Sequence, residues 1–533
     1  MRILTSDTAD LVLHNAARLL GGKLEEKWGS LPAGDITLDP EAKLGAEEYR
    51  IRRDPAGAIT VESGGAAGVL YGCGRLLREA RIREGKLELP ADEISDRPEH
   101  RTRGIYCATH FYNYYHTAPL EQVQAYIEEL ALWGVNALFV WFDLHHFQGI
   151  DDPEAIELLA RLRGMIETAR GVGMQAGLAM LANEGYANSS AELRADQRQI
   201  KTAVYGTELC PGKPEGLCTI LRQAGEVMDQ FDTLDFLVLW PYDQGGCGCV
   251  KCWPWGAQGF LQAGEKIADL YCSRWPAGKV ILSTWLFDWP THGRVGEWEH
   301  LYRTMEGGLE WVDVVLADGH ERFPEAPLRR PLPHATPLVT FPEISMLGMG
   351  PWGAYGVNPL PTHWQGLWDQ VGGHIAGSFP YSEGIYEDLN KVVWAQLNWQ
   401  GSQPVTEIMR AYAAAEFSLE CADDIARALT LMERTHTHRY QEQEGCIDAP
   451  NLSAAGEIWE IISTADHQLP SQARAGWRWR LVYLRALIDH ELSASGGTPT
   501  DAVRDAFAEL SQLYHADDRT EAWVRPPVMY ANC

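Results

Sequence analysis

The run Ala137-Leu-Phe-Val-Trp-Phe142, followed at once by Asp143-Leu-His145-His146, decides how the chain is to be read. Six consecutive apolar residues are too few for an ordinary helix. They fit a strand buried on both faces, as in a parallel sheet covered by helices. An amphipathic helical pattern over 120–133 precedes it. Working outward, the same alternation of strand and helix recurs. Strands are predicted at 104–109, 137–142, 175–181, 236–240, 280–285, 312–317, 337–341 and 374–379, with a helix from about 389. Eight such units over roughly 275 residues match the usual length of a (β/α)₈ barrel.

Two further parts flank this barrel. Residues 1–98 combine a helical pattern near the start, short β-like runs and a second helix at 66–80 with apolar positions 69, 70, 73, 76 and 77. That spacing buries one helical face and predicts a small α+β domain. Residues 402–533 read as amphipathic helices with little strand signal. The expected architecture is therefore α/β: an α+β domain (1–98), a central (β/α)₈ TIM barrel (99–401) and an all-α region (402–533).

Bulk properties narrow the function. A chain of 533 residues needs more than one hydrophobic core. Its net charge of −28 argues against nucleic acid, whose phosphates require clustered Lys and Arg. Asp7 and Asp10 interrupt the N-terminal segment where a signal peptide needs an apolar core. No stretch supplies about 20 apolar residues for a membrane span. A cytoplasmic protein without a membrane partner is expected, and the helical region offers a homodimer surface. The 20 Trp and 20 Tyr include Trp240, Tyr242, Trp285, Trp289, Trp352 and Tyr381 at strand ends or in loops. Such rings stack on the apolar faces of sugars, although most buried aromatics simply pack.

Active sites of these barrels lie at the C-terminal strand ends. Seven of the eight predicted strands are followed by an acid: Asp143, Glu184, Asp243, Asp288, Asp318, Glu343 and Glu383. About half are expected to be helix caps. The remainder suit glycoside hydrolysis, which needs one protonated carboxyl for the leaving oxygen and one ionised carboxyl as nucleophile or base. Asp243 after strand four and Glu343 after strand seven are the expected pair, with Asp318 and Glu383 as further catalytic carboxylates. His110, Asp143, Tyr242, Gln244, Trp285, Asp288, His320 and Tyr381 are the expected substrate contacts. No organic cofactor is called for.

Directly after Asp243-Gln244 comes Gly-Gly-Cys247-Gly-Cys249-Val-Lys-Cys252. C-x-C-x-x-C is ligand-like spacing for a soft metal, here structural zinc, with Cys210 or Cys218 as the fourth thiolate.

The segment Gly64-Gly-Ala-Ala-Gly-Val-Leu-Tyr-Gly-Cys-Gly-Arg-Leu-Leu77, then Arg97-Pro98 and Arg103-Gly104-Ile105, resembles the small domain that precedes the barrel in hexosaminidases and α-glucuronidases. The order of parts is also similar to bacterial O-GlcNAcase-like enzymes. The resemblance implies an exo-acting glycoside hydrolase. Hexosaminidases carry Asp-Glu after strand four and O-GlcNAcase-like enzymes two Asp, where this chain has Asp243-Gln244. The α-glucuronidase pattern implies that Asp243 acts with Asp318 and Glu343. Two alternatives stand beside this reading: a hexosaminidase using the substrate's acetamido group, and a non-catalytic glycan-binding barrel.

Overall fold

The computed structural model describes residues 2–5, 10–28, 34–83, 86–110, 112–200, 206–243, 245–288, 295–319, 323–345, 357–435, 440–441, 446–447, 452–496 and 498–520. In the N-terminal part, β1 (Arg2–Thr5), β2 (Asp35–Asp39), β3 (Tyr49–Arg53), β4 (Ile59–Ser63) and β7 (Glu93–Asp96) form one sheet in the order β1-β2-β4-β3-β7. A small hairpin, β5 (Arg81–Arg83) and β6 (Lys86–Glu88), lies between β4 and β7 in sequence. Helices Leu11–Trp28 and Ala66–Glu79 pack on one another, and the second buries Val69, Leu70, Cys73 and Leu76 as its spacing predicts.

The central part is the predicted barrel. Its strands are β8 (Thr102–Cys107), β9 (Ala137–Trp141), β10 (Gln175–Leu181), β11 (Phe236–Trp240), β12 (Lys279–Ser283), β13 (Val314–Asp318), β14 (Leu338–Phe341) and β15 (Gly377–Ser378). Each pairs in parallel with the next, and β15 pairs with β8 to close the ring. The eighth strand starts at Gly377, inside the predicted 374–379. It resumes after Phe379-Pro380 as β16 (Tyr381–Ser382), also parallel to β8. Pro380 has no N–H to donate, but its carbonyl accepts from Tyr106 N at 3.0 Å, so the pairing runs on through it.

Because side chains alternate along a strand, every second residue fills the barrel. Tyr106, Phe139, Trp141, Phe236, Val238, Trp240, Leu316, Val339, Phe341, Phe379 and Tyr381 form this inner core, separate from the larger core under the helices. Tyr106 stacks on Phe139 at 4.4 Å between ring centres. The interior is thus a packed plug, and chemistry is left to its upper rim.

Arg103 fixes the N-terminal part to the barrel. Its buried guanidinium donates to Glu47 at 2.9 Å, to Gly134 O at 2.7 Å and to His100 O at 2.9 Å, and lies over the Trp399 ring. On the other side, Arg478 of the C-terminal helix Trp477–Ala494 pairs with the buried carboxylate of Asp388 at 2.8 Å. Among the described residues, no helix is long and apolar enough to cross a membrane.

Candidate active site

The inward alternation, carried two residues past the aromatic plug, delivers a set of polar groups. Ala108 is followed by His110, Trp141 by Asp143, Leu316 by Asp318, Phe341 by Glu343, and Tyr381 by Glu383.

His110, Asp143, Glu343 and Glu383 form a connected chain of contacts. His110 Nδ1 lies 3.2 Å from Asp143 Oδ2, while its Nε2 faces the hydroxyls of Tyr106 (3.4 Å) and Tyr381 (3.5 Å). Tyr381 Oη donates to Glu383 Oε1 at 2.8 Å, and Ser345 Oγ donates to Glu383 Oε2 at 3.1 Å. The Ser345 amide in turn donates to Glu343 Oε1 at 3.1 Å. Glu343 also bridges to Tyr381 through the backbone, which holds strands seven and eight together at the rim. Trp285 leans on Trp240 and Phe341, with ring centres 5.9 and 5.6 Å away, and is half-buried.

The electrostatics separate these carboxyls. Burial, then the charges of Glu343 and Glu387, push Glu383 up to about 8. Burial also opposes ionisation of Asp143. The hydrogen bond from His110 and the nearness of His110, His145 and His146 outweigh it and hold Asp143 well below the usual carboxylate range. Asp243 behaves differently. Its side chain is exposed to solvent, yet protein lies close around it. That crowding, reinforced by Asp143 and opposed by His110, raises its carboxyl to about 6. Asp243 also adopts φ 93°, a conformation a non-glycine residue holds only when its surroundings force it. Gly246 (φ 126°) completes the turn, and Asn183 clamps it by accepting from Gly246 N at 3.0 Å and donating to Gly246 O at 2.9 Å.

Two expected substrate contacts belong elsewhere. Tyr242 is fully buried in the outer core, and its hydroxyl donates to the buried carboxylate of Glu297. Inward alternation ends at Trp240-Pro241, so Tyr242 does not follow Trp240 into the mouth. Asp288 caps the helix Glu297–Glu306, accepting from Gly296 N (2.7 Å), Glu297 N (2.9 Å) and Trp298 N (3.3 Å). It is one of the caps anticipated among the strand-end acids. Gln244, His320, Trp289 and Trp352 lie outside the described residues.

The structure adds a pair that the expected residues did not include. His145 Nδ1 lies 2.5 Å from Glu184 Oε1, and both side chains are buried. Burial lowers His145, but Glu184 more than compensates and raises it to about 9. The signal was visible, since both residues follow strand ends. Asp143, His145 and Glu184 present ligand atoms within 4.8 Å of one another. The ion pair and the His110–Asp143 contact already account for that grouping. Nearby, burial raises Glu208 to about 7.

A second group of donors lies beyond Asp243. Cys210 Sγ is 3.7 Å from Cys249 Sγ and 4.0 Å from Cys252 Sγ, and all four sulfurs of Cys210, Cys247, Cys249 and Cys252 fall within 4.8 Å of each other. Cys218 is exposed on the helix Pro214–Met228, outside the group.

No family model matches the chain, and no curated protein matches it. Several solved structures do. A family GH115 4-O-methyl-α-glucuronidase with specificity for decorated arabinogalactans aligns with TM-score 0.62 and 12% identity, over 98% of this chain and 77% of that one. A family 89 glycoside hydrolase from Clostridium perfringens gives 0.61 and 11%, over 95% and 65%. The GH20 β-N-acetylhexosaminidase from Streptomyces coelicolor A3(2) gives 0.54 and 15%, over 79% and 92%. These neighbours are glycoside hydrolases, and likeness at this identity establishes the shared barrel fold.

Proposed function

We propose that the chain is an exo-acting glycoside hydrolase that cleaves a glycosidic bond with two carboxyl groups at the C-terminal end of its barrel. The observation that carries this reading is the differing protonation of carboxyls along one rim. Glu383 and Asp243 are raised to about 8 and about 6, while Asp143 is held ionised. Groups with separated pKa values are what acid and base roles require.

Asp243, open to solvent, is the proton donor to the leaving oxygen. Glu343 is the ionised partner, acting as nucleophile or as base for water. Glu383, raised by burial and by the charge of Glu343, stands beside it, and Asp318 assists from strand six. His110, oriented by Asp143, and Tyr381 contact sugar hydroxyls, and Trp285 offers a face for the ring. The C-terminal region supports an exo mode. Tyr514 Oη donates to Glu383 O at 2.8 Å and Arg519 lies over the Tyr112 ring at 4.8 Å, so this region walls one side of the rim.

The test is sugar release from a panel of aryl and natural glycosides, including α-glucuronides and N-acetyl-β-hexosaminides. Turnover by the wild type that collapses in both Asp243→Asn and Glu343→Gln is expected. Equal turnover in wild type and both variants would overturn the assignment. Turnover confined to N-acetylhexosaminides and insensitive to Glu343→Gln would transfer the nucleophile's role to the substrate's acetamido group.

A further inference from the structure

Four thiols from two separate segments meet beside the candidate active site. Cys247, Cys249 and Cys252 come from the loop after β11, and Cys210 from the segment after β10. Cys210, Cys247 and Cys252 are buried, Cys249 is half-buried, and none is in a disulfide. A tetrahedral zinc site with Zn–S bonds of about 2.3 Å has S···S edges of about 3.8 Å. The distances of 3.7 and 4.0 Å from Cys210 to Cys249 and Cys252 match those edges.

The surroundings are built for sulfur that carries charge. The Asp196 amide donates to Cys247 Sγ at 3.4 Å. A Cβ at position 212 would come within 3.2 Å of Cys252 Sγ, so Gly212 leaves the sulfur its room. Lys251 Nζ donates to Gly212 O at 3.1 Å and ties the same two segments together at the surface. Buried thiols with no further task are ordinarily dispersed as small apolar residues. Here they converge across 42 positions of sequence.

We propose that Cys210, Cys247, Cys249 and Cys252 hold one structural zinc ion that staples the segment after β10 to the loop after β11 and so fixes where Asp243 stands. Four thiolates close the coordination sphere and leave no position for water, so the ion takes no part in bond cleavage. Each thiol that binds releases its proton to solvent. The inference is independent of the glycosidase reading, since it rests on the sulfur geometry alone.

The test uses the full-length protein purified without chelator. Elemental analysis should give about one zinc per chain, retained through gel filtration. In a thiol titration, the four cluster thiols should react only as an organomercurial displaces zinc. Cobalt(II) exchanged into the site should show the visible absorption of a tetrahedral tetrathiolate complex. Cys247→Ser and Cys252→Ser should lose the metal, and Cys218→Ser should keep it. If the first two fail to fold, the cobalt spectrum and thiol count of the wild type decide. Metal removal should speed hydrogen exchange in 183–200, 206–213 and 245–256 while β8 to β15 stay protected. Negligible zinc with four thiols that react at once, or iron in its place, would overturn the site. Zinc whose removal leaves exchange in both segments unchanged would overturn the staple.

Discussion

Glu343 and Glu383 are held by the same serine: the Ser345 amide donates to one at 3.1 Å and its hydroxyl to the other at 3.1 Å. Two buried carboxyls in one environment do not ionise together. Glu383 keeps the proton, because burial and the neighbouring charge raise it from 4.5 to about 8.

That shift makes a stability prediction. A carboxyl whose folded pKa lies above its unfolded one binds more protons in the native state between the two values, so stability falls as pH rises through that window. Glu383→Gln removes this contribution. Urea midpoints measured from pH 5 to 8.5 should decline less steeply in the variant than in the wild type. The integrated difference should be on the order of a few kcal/mol, offset by about 1 kcal/mol at all pH values for the acceptor lost to Tyr381 or Ser345. Parallel slopes would show that Glu383 titrates normally.

Asp243 should matter to rate rather than to stability. A donor with its pKa raised to about 6 is protonated below that pH, so kcat/KM should fall as pH rises above it. Asp243→Asn should cut turnover by about 10²–10⁴-fold on substrates with poor leaving groups. The loss should be much smaller on aryl glycosides whose leaving group departs without a proton. Asn also tolerates positive φ better than most residues, so Tm should hardly change. A uniform loss across leaving groups would remove Asp243 from the donor role.

Tyr242 gives the opposite signature. Its hydroxyl serves Glu297, which also accepts from Gly256 N at 2.7 Å and Asp288 N at 2.9 Å. Tyr242→Phe should cost about 1–3 kcal/mol in chemical denaturation, because a buried carboxylate loses a donor. The kcat/KM of the folded protein should be unchanged. A selective rise in KM would instead return Tyr242 to the substrate.

The barrel was legible because its strands are short apolar runs ended by polar residues. Much of the rim followed, since His110, Asp143, Glu343 and Glu383 each continue a period of two from an inward aromatic or alanine. The reading failed where that period stops. Pro241 breaks it before Tyr242, and Asp288 serves a helix that begins at Glu297. Spacing alone favoured Cys210 but left Cys218 open as the fourth thiol. Only the fold, which leaves Cys218 exposed on its helix, separates them. The His145–Glu184 pair was present among the strand-end residues, but only the proximity of two loops makes it an ion pair.

That pair supplies the last prediction. Burial pushes Glu184 up while His145 pulls it down, so at 2.5 Å the two compete for one proton. The His145 amide also donates to Glu184 Oε1 at 3.1 Å, which favours the carboxylate and therefore the imidazolium. A histidine raised from 6.5 to about 9 contributes stability that is complete below 6.5 and is lost as pH rises through about 9. Glu184→Gln keeps the shape and removes the charge. The variant should be less stable than the wild type by on the order of 3 kcal/mol at pH 6, with the gap narrowing toward pH 9. The His145 ring, followed by NMR, should titrate well below its wild-type value. A gap that stays constant or widens with pH would mean that folding does not raise the proton affinity of the pair.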